Sequence, residues 1–191
     1  VDAANAGDTI LVADGTYTEQ VVIPKNITLQ GTSQAGTIIK SPATLTQYFT
    51  TSANNYPVVF VNTTSNATVR DLTVDGDGKG NANYRFLGIA FWNSGGAVLN
   101  CTVHSIEDTP ASGAQHCVGI YAYNDTGGPY SLEVGGCDAY DCQKNCYALS
   151  GSGLTVDVHG CAATGYGDID FTAQNGIQVS YGAGGTISDC A

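Results

Sequence analysis

The stretch GIAFWNSGGAVLNCTV (Gly88–Val103) holds two short runs, GIAFWN and VLNCTV, joined by Ser94-Gly95-Gly96-Ala97. Both recur. The first returns as VVFVN (58–62), GIYAYN (119–124), CYALSG (146–151) and GIQVSY (176–181). The second returns as VRDLTV (69–74), VGGCDA (134–139), VHGCAA (158–163) and ISDCA (187–191). The two patterns alternate strictly, and each is a four- to six-residue run with a period of two, bounded by Gly, Asn, Asp and Ser. Such runs read as β-strands separated by turns.

The repeat length is elastic: from Leu72 the marks fall at Cys101, Cys137, Cys161 and Cys190, steps of 29, 36, 24 and 29 residues. Constant strands with variable connections exclude a coiled coil or a helical solenoid. They fit a parallel β-solenoid, in which each coil buries its inner face only by stacking on the next. Alternation assigns the faces. On the first pattern Ile89/Phe91, Ile120/Ala122, Tyr147/Leu149 and Ile177/Val179 point inward. On the second, Leu72/Val74, Cys101/Val103, Cys137/Ala139, Cys161/Ala163 and finally Cys190 do so. Their outward neighbours are Asp71, Asn100, Gly136, Gly160 and Asp189.

The opening AANAGDTILVADGTYTEQVVIPKNITLQGT (3–32) resembles the first coils of right-handed parallel β-helices of the pectin-lyase-like superfamily. The resemblance extends through the repeats over nearly the whole chain. It implies an all-β, right-handed parallel β-helix of about 6–7 coils in one domain, 1–191. It implies little about activity, because the superfamily spans lyases, hydrolases, esterases, tailspikes, adhesins and archaeal surface proteins. The family's N-terminal cap helix is reduced here to VDAANA, and the chain stops inside a strand at Asp189-Cys190-Ala191. The expectation is a solenoid lacking complete end caps, either a piece of a longer protein or one whose ends neighbouring subunits cover.

Charged residues make up 12% of the 191, the net charge is −11, and there is no Met. The absence of Met suits a mature or excised portion. The acidity argues against nucleic acid or anionic membrane as partner. No run approaches a membrane span. Asn-x-Thr occurs at Asn26, Asn62, Asn66, Asn100 and Asn124. Five such acceptors favour an exported, glycosylated protein on the cell surface.

Of seven cysteines, Cys101, Cys137, Cys161 and Cys190 share one column and are expected to stack as an inward ladder. Cys117, Cys142 and Cys146 lie outside it, near corners leading into the first-pattern strand. They are the disulfide candidates, Cys117 with Cys142 or Cys146. Cys142-x3-Cys146 has no His at ligand spacing, so no zinc site is read there. His104, His116 and His159 fall in different columns, with nothing to place a nucleophile beside a base.

Acidic pairs occur at Asp75/Asp77, Glu107/Asp108, Asp138/Asp141 and Asp168/Asp170. DIDF (168–171) resembles a pectin methylesterase block, but that family's later Arg is missing, since no Arg or Lys follows Lys144. Arg70 and Arg85 stand in no lyase motif, and polygalacturonase signatures are absent. No catalytic residue is assigned. Asp75, Asp77 and Asn81 in DGDGKGN are a candidate calcium site that lacks the acidic closing ligand; no other cofactor is indicated. Trp92, Tyr121 and Tyr123 are expected to project outward from one column as a platform for a sugar ring or a second subunit, or to lie beneath a long loop such as 105–117.

The sequence therefore points to a non-catalytic, glycosylated extracellular protein with a structural or adhesive role, self-associating end to end or laterally into a filament, sheath or layer. The alternative is a carbohydrate-active enzyme or polysaccharide-binding domain.

Overall fold

Each first-pattern run forms a single strand, whereas each second-pattern run, expected as one strand, is broken by a corner between two sheets. All the sheet-forming strands pair in parallel with their counterparts one repeat away. A computed structural model describes all residues, 1–191. Sheet one contains β1 (Thr9–Val12), β4 (Thr28–Gly31), β8 (Ala67–Arg70), β11 (Gly96–Leu99), β14 (Tyr130–Gly135), β17 (Leu154–His159) and β20 (Gly184–Ser188). Sheet two contains β2 (Gly15–Thr18), β5 (Thr37–Lys40), β9 (Thr73–Asp75), β12 (Thr102–Ile106), β15 (Asp138–Cys142) and β18 (Ala162–Thr164). Sheet three contains β3 (Val21–Ile23), β7 (Asn54–Asn62), β10 (Phe86–Trp92), β13 (Val118–Tyr123), β16 (Asn145–Ser150) and β19 (Asn175–Ser180). A two-residue strand, β6 (Phe49–Thr50), pairs antiparallel with the start of β7. The chain visits the sheets in the order one, two, three and repeats, which is a right-handed parallel β-helix. There is no α-helix, hence none long and apolar enough to cross a membrane; one 3-10 turn spans Gly80–Ala82.

The registers stack like on like. Val59, Ile89, Ile120, Tyr147 and Ile177 form one inward rung, and Val61, Phe91, Ala122, Leu149 and Val179 form another. With the inward residues of the other sheets they build one contiguous core of 35 buried apolar residues. Tyr147 is fully buried in it, and its hydroxyl lies 2.9 Å from the carbonyls of both Cys137 and Ala162, either of which accepts its one proton, so the hydroxyl is not stranded. The inward residues of the last turn, Ile177, Val179, Ala163 and Cys190, are only half-buried.

The corner between sheets one and two explains the second sequence pattern. From β8 onward it is two residues long. The first is Asp71, Asn100, Gly136, Gly160 or Asp189, and each has φ between 50° and 61°. This left-handed conformation is steep for residues with a full side chain and mild for Gly, Asn and Asp, which is why this column reads as it does. The second residue turns inward: Leu72, Cys101, Cys137, Cys161, Cys190. The first three cysteine rungs are buried, and each of the four thiols donates to a carbonyl of the preceding coil, as Cys137 Sγ does to Val98 O at 3.4 Å. Cysteine is thus a small apolar rung with a weak donor that finds an acceptor.

The corner between sheets two and three carries nearly all the length variation. Residues 41–53, 76–85, 107–117 and 165–174 all sit there, on four coils, whereas the β15–β16 connection is Gln143-Lys144 alone. Stacked, these loops form a wall beside the outer face of sheet three.

Candidate functional site

The outer face of sheet three has two central columns. One runs Val22, Phe60, Ala90, Tyr121, Ala148, Gln178; the other runs Asn62, Trp92, Tyr123, Ser150, Ser180. Trp92 and Tyr123 therefore share a column as expected, but Tyr121 does not: it pairs with Ala90, one column over. The expected open platform is also partly roofed, and by loop 41–53 rather than by 105–117. Phe49 stacks on Phe60, Trp92 and Tyr121 with ring centroids 5.4, 5.5 and 6.1 Å apart. Tyr48 lies against Phe60 at 5.1 Å, and Tyr121 against Tyr123 at 6.3 Å. Phe49, Phe60, Leu87, Ala90, Val118 and Ala148 form a second buried cluster outside the barrel of strands. Trp92 and Tyr123 keep half-exposed edges. The Trp92 indole donates to Asp125 Oδ2 at 3.3 Å, and Asn93 Nδ2 donates to Asp125 Oδ1 at 2.6 Å, which fixes the ring.

Down the same face the aromatic row gives way to amides and hydroxyls. Asn145 Nδ2 donates to Gln178 Oε1 at 2.7 Å, Gln178 Nε2 to Ser180 Oγ at 3.2 Å, and the Ser150 and Ser180 hydroxyls lie 2.8 Å apart. No carboxylate projects from either column. Rings followed by uncharged hydrogen-bonding groups suit the apolar faces and hydroxyl rims of sugars.

At the loop end of this face lies a cavity of about 50 Å³ lined by Asn55, Arg85, Gln115, His116, Cys117 and Tyr121. Arg85 donates from Nη2 to Ser52 Oγ at 2.6 Å, while its Nε is buried without a partner. Burial pushes the Tyr121 phenol up to about 12. Cys117 Sγ lies 3.1 Å from His116 Nδ1, and His116 Nε2 lies 3.8 Å from Asp108 Oδ1. Sequence reading left the three histidines without partners; the structure gives each one. His104 stacks on Tyr140 at 5.1 Å, and His159 Nε2 meets Glu133 Oε1 at 3.0 Å. The Cys117–His116–Asp108 chain is not an exposed nucleophile. Cys117 is wholly buried, and burial, then Asp108 and Glu107, push its thiol well above the usual range. His116 is driven toward its neutral form, first by burial and also by Arg85, with Asp108 opposing.

The remaining sequence candidates are dispersed. Asp75, Asp77 and Asn81 do not converge as a calcium site. Lys40 Nζ reaches Asp77 Oδ1 at 2.8 Å, Lys79 Nζ reaches Asp77 Oδ2 at 3.0 Å, and Asn81 Oδ1 accepts from Thr109 N at 2.7 Å. The lysines supply the positive charge that a cation would bring, and they hold the Asp77 carboxyl below its usual range. Asp168 and Asp170 line an open hollow with Phe171, with no cation paired to them. All seven cysteines are free thiols, so the bridge from Cys117 to Cys142 or Cys146 is not formed; Cys117 is turned to His116 instead.

Among the sequons, Asn66 and Asn100 are exposed, Asn26 and Asn62 half-buried. Asn124 is buried, and its Nδ2 donates to the carbonyls of Gly128 and Ser152, both at 2.7 Å. That nitrogen is spent on the turn, so Asn124 reads as a corner residue rather than a glycan carrier.

No protein-family model matches the sequence, and no curated protein matches it. Among solved structures the chain is similar to a pectin methylesterase variant in complex with a hexasaccharide, with a TM-score of 0.56 at 12% identity over 94% of this chain and 60% of that one. It is also similar to the pectin methylesterase PemA of Erwinia chrysanthemi, with a TM-score of 0.51 at 14% identity over 87% of this chain and 59% of that one. The chain thus spans about three-fifths of the length of these enzymes. What it shares with them is the right-handed parallel β-helix fold.

Proposed function

We propose that this chain serves outside the cell as an adhesive β-helix that holds a polysaccharide along the outer face of sheet three without cleaving it. The observation carrying this reading is the continuity of the Trp92/Tyr123 edges with the Asn145, Ser150, Gln178 and Ser180 row. Because neither column carries a charged side chain, the Asp125 carboxylate borders Trp92 and the whole chain carries a net charge of −11, the favoured ligand is a neutral or fully esterified glycan rather than a polyanion. The enzymatic alternative draws on fold relatives that are pectin methylesterases. Against it stands a sheet face with no paired carboxylates and no catalytic cation beside Asp168 or Asp170.

Affinity electrophoresis against neutral, acidic and methyl-esterified polysaccharides tests this. Retardation by an uncharged glycan is expected, weakened about tenfold in Trp92→Ala, the cost of roughly one aromatic contact. Methanol release from esterified pectin, or chain scission of any glycan, overturns it.

A further inference from the structure

We propose that Asp108, His116 and Cys117 hold one zinc-class divalent metal ion in the loop wall beside sheet three. The three donor atoms lie within 4.8 Å of one another. A tetrahedral set with bonds of ~2.0–2.3 Å has donors roughly 3.3–3.8 Å apart. Cys117 Sγ now faces His116 Nδ1 at 3.1 Å and Asp108 Oδ1 faces Nε2 at 3.8 Å, so closure on one ring nitrogen requires the imidazole or the carboxylate to turn. One imidazole nitrogen, one thiolate and one carboxylate are the donors of a borderline-soft ion; calcium and magnesium take oxygen sets. The cavity of about 50 Å³ lined by His116 and Cys117 leaves room for a fourth ligand. An anion there would meet Arg85, whose Nε lacks a partner.

Three features that are costly on their own become coherent with an ion present. Asp108 is buried, and its Oδ1 has no hydrogen-bond partner. A fully buried thiol faces a buried imidazole. Cys117 also takes φ 73°, a strained conformation for a side chain of its size, and thereby sets its sulfur beside His116.

The surroundings are built as a support for the carboxylate. Ser112 Oγ and Gln143 Nε2 both donate to Asp108 Oδ2, which leaves Oδ1 for the ion. Gln143, itself wholly buried, accepts from the backbone N–H groups of Asp108 and Ser112 at 3.0 and 3.2 Å and donates to Ala114 O at 3.1 Å. The Tyr84 ring covers His116, with centroids 4.6 Å apart. Orienting bonds of this kind around a ligand set raise its affinity. Binding displaces the Cys117 thiol proton, so one proton leaves for each ion bound.

The test uses the full chain, stripped with chelator and titrated with Zn²⁺ alone and then with Co²⁺. One equivalent of zinc per chain, a thiolate-to-cobalt charge-transfer band and a raised Tm are expected. Cys117→Ser should abolish the band, and Gln143→Ala should weaken binding about 10–100-fold while leaving the band's shape. If Cys117→Ser does not fold, Asp108→Asn replaces it, with at least tenfold weaker binding expected. A folded wild-type chain that binds no stoichiometric zinc, or one whose cobalt form lacks the thiolate band, overturns the assignment.

Discussion

The two corners that flank sheet two are built on opposite principles. Between sheets one and two, from β8 onward, every coil repeats a left-handed residue followed by an inward one. Between sheets two and three, loops of two to thirteen residues stack into a wall that holds Phe49, Arg85, Asp108, His116 and Cys117. The repeating corner is architecture, because each position there is answerable to the coils above and below. The variable corner is free of that constraint, so it can present chemistry without disturbing the ladders.

The largest effect that would sharpen this contrast is expected in the repeating corner. Leu72→Ala, at a wholly buried rung, should lower unfolding stability by about 2–5 kcal/mol in urea titration with an unchanged m-value. A loss near zero would mean that the rung is not part of the cooperative core. Next, Gly136→Val places a β-branched residue at φ 61° and should cost about 1–3 kcal/mol, whereas Asn100→Gly should be nearly neutral. Similar costs for the two would remove the backbone explanation of the column.

In the variable corner the same kind of truncation should act locally. Phe49→Ala removes the ring that roofs Phe60, Trp92 and Tyr121. Hydrogen exchange in residues 46–52 should accelerate, while β10, β13 and β16 keep their protection. Global loosening would show that the roof belongs to the core instead.

The smallest effect concerns His159, on the outside of sheet one. Its hydrogen bond to Glu133 raises its pKa above the ordinary value, with desolvation opposing. The protonated form is therefore favoured by folding. Any stabilisation is present below the unfolded pKa and fades as pH rises through the folded one. NMR titration should place its midpoint above ~6.5, and Glu133→Gln should lower it.

These differences also explain what was legible beforehand. The strand columns and the inward cysteine ladder follow from alternation, whereas Asp71, Asn100, Gly136, Gly160 and Asp189 read as outward strand residues and only their left-handed φ reveals a corner. Tyr121 was misplaced because it stands two residues before Tyr123 on the same strand, and only the cross-strand register separates the columns. The meeting of Asp108 with His116 and Cys117 left no periodic trace, since all three come from a single irregular loop. The one available signal was position. His116-Cys117 stands one residue, Val118, before GIYAYN, at the corner where the repeat length varies most.

The central claim is that sheet three, next to the variable corner, is the working face, and Trp92 is the only tryptophan in the chain. Titrating the protein with a neutral or fully esterified polysaccharide while following Trp92 emission tests it most directly. A saturable change in emission, with weakened affinity in Tyr123→Ala, is the predicted result. Polysaccharide binding that leaves Trp92 emission unchanged, or the absence of any binding, would contradict it.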